Sequence, residues 1–307
     1  MKAERMFQMN IIRYNKNKNG KNQLAVVTED SIIYDLDFST FQELDEEAYV
    51  KGVSISSFIK EIIKGMVSIN KDISELDLLI PIETEEVWAA GVTYQKSRMA
   101  RNHESSNAHD QQETFYDKVY NADRPEIFLK STKKRTVGPN QDLFLRNDSN
   151  WLVPEPELGL VINRHEKIVG YVVGNDLSCR DIEGENPLYL PQAKIWKRSC
   201  SIGPSIRLVD TVNNPYDLLI TCSILREGKL VNKQSASTSQ LKRKYDELVS
   251  YLVKNNEIFD GVVLLTGTAI VPPDNFTLQD GDIVEIEIPE IGVLANTVKK
   301  MQVATTV

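Results

Sequence analysis

Near the start of the chain, alternating apolar positions mark two short strands, residues 10–14 and 23–27, on either side of a polar turn that contains Asn19-Gly20. A third strand is predicted over residues 31–36. The spacing of apolar residues then lengthens to roughly 3.6, the period of a helix. Ile55, Phe58, Ile59, Ile62 and Ile63 fall on one face of a helix over residues 55–67, with Ser54 or Ser56 placed to cap it. Another helix is expected over residues 40–50. Together these elements predict a small α/β unit of residues 1–80 with no evident site, suited to packing or oligomerisation.

After Pro81 the pattern changes. Residues 87–91 (Val-Trp-Ala-Ala-Gly) read as a buried strand ending at a glycine. Residues 94–121 are polar and helix-prone, and carry Arg98, Arg101, His103, His109 and Lys118. Such a stretch is either a solvated helix or a lid that brings cations toward an anionic substrate. Strand patterns follow at residues 127–130, 158–163, 168–173, 200–209, 218–225, 262–265 and 283–288. One clear helix interrupts them over residues 240–254, with Ser237 or Ser239 at its start. Strands without alternating helices argue for an antiparallel body and against a doubly wound parallel sheet. The expected fold class is α+β: a small N-terminal α/β domain, residues 1–80, and a mainly antiparallel β-rich domain, residues 81–307.

Within that second domain, three acidic residues attract attention. Glu155 and Glu157 lie two apart around Pro156, so in a strand their side chains share a face, about 6.6 Å apart along the backbone. A hairpin turning at His165-Glu166 brings Asp176 opposite Glu155. Three carboxylates on one face repel unless a cation sits between them. All-oxygen ligands suit Mg²⁺, with Mn²⁺ or Ca²⁺ as alternatives, and do not suit zinc. Taken alone, Glu-x-Glu is more often a solvated edge, and Pro154 and Pro156 fit an edge strand.

Composition narrows the classes. The 307 residues carry 36 basic and 44 acidic side chains, a net charge of −8, with no basic stripe of the kind that binds nucleic acid. Cys179, Cys200 and Cys222 lack metal-site spacing and read as reduced thiols. No run of eighteen apolar residues suggests a membrane span, and the first six residues lack the apolar core of a signal peptide. A cytoplasmic protein acting on a small molecule is expected, without nucleic-acid or membrane partners.

Other chemistry-bearing residues are individually ambiguous. No glycine-rich nucleotide motif or H-E-x-x-H is present. Lys194 lies in an apolar stretch, where a lysine serves as a base or an electrophilic support, or merely pairs with Asp181 or Glu183. Glu126 opens an apolar strand, and Thr266-Gly-Thr268 offers hydroxyls and backbone N–H groups at a strand end.

In combination they are specific. Glu155-Pro-Glu157, Gly174-Asn-Asp-Leu-Ser-Cys-Arg-Asp181, Lys194, Ile202-Gly-Pro204 and Leu265-Thr-Gly-Thr268 resemble the fumarylacetoacetate hydrolase family from about residue 87 onward. Gly91-Val-Thr-Tyr94, Arg124-Pro-Glu-Ile-Phe128, the stretch 185–194 and the stretch 276–282 resemble its 2-keto-3-deoxy-D-arabinonate dehydratase branch. The resemblance implies a rolled β-sheet catalytic domain, with Glu155, Glu157 and Asp176 holding Mg²⁺ or a similar ion. It further implies Lys194 and Glu126 as catalytic residues and Thr268, Arg180 and Ser97 as substrate contacts. A homodimer or homotetramer is implied as well.

One departure carries information. Hydrolytic members of the family carry a His and a Glu after an asparagine-tyrosine pair to activate water. Here Ser97 and Ala100 stand at those places after Tyr94. Without that dyad an attacking hydroxide lacks a base, which favours expulsion of water over C–C hydrolysis. The expected reaction is dehydration of a 2-keto-3-deoxy sugar acid of pentose catabolism through a metal-stabilised enolate. Lys194 and Glu126 are the candidate base and acid, and the sequence leaves open which is which. A hydrolase or tautomerase of acylpyruvate-type 2-keto acids is the alternative, and a non-catalytic 2-keto acid binder the lesser one.

Overall fold

The computed structural model describes residues 8–16, 22–104 and 114–301. The first six residues, the Asn19-Gly20 turn and His109 lie outside them. Strands β1 (Met9–Asn15), β2 (Asn22–Thr28) and β3 (Ile33–Asp35) precede helices α1 (Phe41–Val50) and α2 (Ile55–Ile62). The Thr40 and Ser54 side chains cap these two helices by accepting from the backbone N–H of Glu43 and Ser57. The second helix stops at Ile62, short of the predicted residue 67.

Strand β4 (Glu86–Gly91) leads into α3 (Gln95–Glu104), α4 (Phe115–Asn121) and β5 (Glu126–Thr132). The short strands β6 (Thr136–Val137), β7 (Leu143–Leu145) and β8 (Leu152–Val153) follow. Next come the hairpin β9 (Pro156–Ile162) and β10 (Ile168–Asp176), then β11 (Ser178–Cys179), α5 (Arg180–Glu185) and α6 (Leu190–Lys194). The rest comprises β12 (Cys200–Leu208), β13 (Leu219–Arg226), β14 (Lys229–Ser237), α7 (Tyr245–Leu252), β15 (Val262–Leu265), β16 (Ile283–Ile288) and β17 (Gly292–Lys300).

Pairing is mainly antiparallel, as the strand pattern predicts. A ten-stranded sheet runs β3-β2-β1-β12-β10-β9-β15-β4-β5, with β6 beside β12, and a five-stranded sheet runs β14-β13-β16-β17-β7. One face of the larger sheet packs on the smaller sheet and α7 through Leu158, Leu160, Tyr171, Leu248 and Ile286. Its other face packs on α1 and α2 through Val161, Val172, Phe41 and Ile59. β9 and β10 are therefore covered on both sides, which is why they read as nearly unbroken apolar runs. The N-terminal strands join this sheet directly, since Ile11 on β1 pairs with Ile206 on β12.

Two predicted helices are redrawn. Among the described residues of 94–121 there are two helices, α3 and α4. Over residues 240–254 the helix begins only at Tyr245, and the Ser237 hydroxyl instead caps a 3₁₀ turn at Thr238–Gln240. Strand β14 escaped the sequence reading because it is an exposed, polar edge with no apolar alternation.

Candidate active site

The β9–β10 hairpin has the register that the sequence predicts. Gly174 pairs with Glu157 and Asn175 with Pro156, and the Asp176 N–H donates to the Glu155 carbonyl at 2.9 Å. Glu155, Glu157 and Asp176 are all buried, so they are not a solvated edge. Their ligand oxygens lie within 4.8 Å of one another. A buried all-carboxylate donor set of this kind fits a hard divalent cation.

These carboxylates are not equivalent. Burial pushes the Glu155 carboxyl up, but Lys194, Arg180 and Arg101 outweigh it and hold it well below the usual carboxylate range. Burial, together with the charges of Asp176 and Glu155, drives Glu157 well above that range. The Gly267 N–H donates to Glu157 Oε2 at 2.6 Å. Gly267 has φ +92°, and a Cβ there would overlap Thr93 Oγ1, so this close backbone approach requires glycine.

Lys194, at the end of α6, extends its ammonium into the acidic cluster. Its Nζ donates to Glu155 Oε2 at 2.5 Å, to Asp176 Oδ2 at 3.1 Å and to Ser178 Oγ at 2.6 Å. The alternative partners are engaged elsewhere: Asp181 accepts from Ser149 Oγ and the Asn150 N–H, and Glu183 pairs with Arg101.

Arg180 and Arg101 converge on the other oxygen of Glu155, at 2.7 and 3.1 Å. Arg180 also pairs with Glu104, so helices α3 and α5 are tied together over the site. Arg180 is buried and does not line the cavity beside the carboxylates, which departs from its expected role as a substrate contact. Arg101, read from the sequence as facing either solvent or substrate, lines the cavity and pairs with Glu155 and Glu183.

Glu126, Ser97 and Thr268 all line that cavity, with Phe115, Tyr116 and Leu190. Ser97 is buried and its hydroxyl donates to the Tyr94 carbonyl at 2.8 Å, so it presents no base. The Thr268 hydroxyl accepts from the Ile270 N–H at 3.1 Å. His103, whose side chain is 73% exposed, pairs with Asp274 at the surface instead of facing the cavity. Burial raises the Glu126 carboxyl above its ordinary value, with Arg101 and Lys194 opposing the shift.

Lys130 was missed by the sequence reading. Between β4 and β5 the register slips, so that Val87 pairs with Ser131 and Trp88 with Leu129, leaving Lys130 as the extra residue of a bulge. The bulge aims a completely buried ammonium at Asp176 Oδ1, 2.7 Å away. The same Nζ donates to the carbonyls of Leu177 at 2.8 Å and Lys194 at 2.5 Å, holding the end of α6 in place. A lysine amid the apolar run Ile127-Phe-Leu-Lys130-Ser was the available signal. Lys130→Met should lower stability by about 3–5 kcal/mol, the usual result of leaving a buried charge short of its partner. Chemical denaturation measures this directly, and an unchanged midpoint would remove Lys130 from the framework of the site.

Comparison with known proteins agrees with this architecture. Residues 87–299 match the profile of the fumarylacetoacetate (FAA) hydrolase C-terminal domain. A probable 2-keto-3-deoxyxylonate dehydratase of Haloferax volcanii is 44% identical over 288 residues, covering 90% of this chain and 98% of that protein. A 2-dehydro-3-deoxy-D-arabinonate dehydratase of Saccharolobus solfataricus is 43% identical over 278 residues, covering 88% of this chain and 93% of that protein. A solved 2-keto-3-deoxy-D-arabinonate dehydratase, complexed with magnesium and 2,5-dioxopentanoate, superposes with TM-score 0.81 at 36% identity. That match covers 96% of this chain and all of the solved one. The chain belongs to the fumarylacetoacetate hydrolase family.

Proposed function

We propose that this protein is a divalent-metal-dependent dehydratase that removes water from a 2-keto-3-deoxy sugar acid of the arabinonate or xylonate type. The observation that carries the reading is the buried cluster of Glu155, Glu157 and Asp176, with Lys194 and Glu126 beside it and no water-activating histidine among the described cavity residues. The activities of the two relatives support the same substrate class.

Glu155, Glu157 and Asp176 would hold the ion, Mg²⁺ in the first instance. When bound, it supplies Lewis-acid charge that favours loss of a proton next to a 2-oxo group. Lys194 acts at carbon 3 as the base that takes the departing proton and, so charged, supports the enolate. Glu126 delivers a proton to the departing 4-hydroxyl, and its raised carboxyl is suited to carrying one. Thr268 offers a hydroxyl at the cavity wall to the substrate carboxylate.

The test is purified protein with Mg²⁺ and 2-keto-3-deoxy-arabinonate or -xylonate, followed for 2,5-dioxopentanoate, beside an EDTA control and an acylpyruvate. Metal-dependent product without acylpyruvate cleavage is expected. Cleavage of the acylpyruvate instead would refute the dehydratase. Glu126→Gln should lower kcat by about 10²- to 10⁴-fold, the range of a lost general acid. The wild-type rate should fall as pH rises through the elevated Glu126 value, because the acid must be protonated, and a flat alkaline limb would argue against this role.

A further inference from the structure

Gly91 and Glu126 face each other across the β4–β5 ladder, at the ends of both strands nearest the cavity. The Glu126 side chain folds back over Gly91. A Cβ on residue 91 would overlap Glu126 Oε2, stand 2.5 Å from its Cδ and 3.2 Å from its Cγ. Real Cβ atoms essentially never approach a heavy atom closer than 3.0 Å. Gly91 is not among the residues with positive φ, so its backbone does not require glycine. A methyl there would meet the far end of the Glu126 side chain, so the carboxyl would have to move.

We infer that Gly91 is a positioning residue: the missing side chain is the socket that seats the Glu126 carboxyl inside the cavity. This rests on the reading of Glu126 as the proton donor in the proposed dehydration. Filling the socket pushes the carboxyl away from the substrate without removing any group that binds it. Shortening residue 126 by one methylene withdraws the carboxyl from the overlap, so the two changes should compensate.

Gly91→Ala, Glu126→Asp and the double variant are compared by steady-state kinetics and thermal unfolding. Gly91→Ala is expected to lower kcat about a hundredfold with KM changed less than about threefold, as expected for a misplaced general acid. In the Glu126→Asp background, adding Gly91→Ala should cost less than about threefold further. If Gly91→Ala folds poorly, the double variant should recover most of the lost melting temperature. An unchanged kcat in Gly91→Ala would overturn the inference, as would a loss that multiplies fully onto Glu126→Asp, or a double variant no more stable than Gly91→Ala. Glu126→Gln separates the two readings. Full turnover there would refute the proton-donor role and leave the stability compensation to judge the socket alone.

Discussion

Lys194→Met should bind Mg²⁺ more tightly than the parent protein while losing at least about a thousandfold in kcat. The Lys194 ammonium lies 2.5 Å from Glu155 Oε2 and 3.1 Å from Asp176 Oδ2, so it draws on oxygens that a metal ion would use. An ammonium within hydrogen-bond reach of those oxygens would repel a divalent ion held by them and so weaken its binding. In a buried cluster the repulsion is larger than in water. The residue would thus trade metal affinity for charge at the reacting carbon. Titration calorimetry of the substrate-free protein measures the first effect and single-turnover kinetics the second. Equal or weaker Mg²⁺ binding by a well-folded variant would show that Lys194 and the ion do not compete.

Glu155→Gln is the second large effect. Three buried cations, Lys194, Arg180 and Arg101, share this carboxylate, and neutralising it leaves them without their common partner. A loss of about 3–5 kcal/mol is expected, and turnover should fall to the level seen with EDTA. The pH dependence has a definite sign. The folded-state value of Glu155 is depressed, so its stabilisation is present above the unfolded carboxylate value and is lost as pH falls. Glu155→Gln should therefore unfold with a flatter acid limb than the parent. Urea unfolding at several pH values tests this, and parallel acid limbs would mean that the arginines find other partners.

The residues of the site differ in the range over which they are positioned. The carboxylate hairpin was legible because it is local: alternation places Glu155 and Glu157 on one face, and a short turn brings Asp176 across from them. Lys194 and Glu126 stood out by family resemblance, and both border the cavity. The pairing of Arg180 with Glu155 and Glu104 could not be read from the sequence, because it depends on how α5 meets α3. The same holds for Arg101, which a polar helix pattern assigns to solvent or substrate, and which the packing turns onto Glu155 and Glu183.

By itself the sequence determined the mainly antiparallel body, the acidic trio with its register, and the absence of a His–Glu pair after Tyr94. Each of these follows from residue type and spacing within a few tens of residues. Only the tertiary structure decided what surrounds the trio. The bulge that turns Lys130 inward, the two arginines on one oxygen of Glu155, and the Glu126 carboxyl over Gly91 all depend on how separate strands and helices pack. A side chain's charge can be read from its letter. Whether that charge faces water, a substrate or a buried counter-charge is fixed by which strands and helices enclose it.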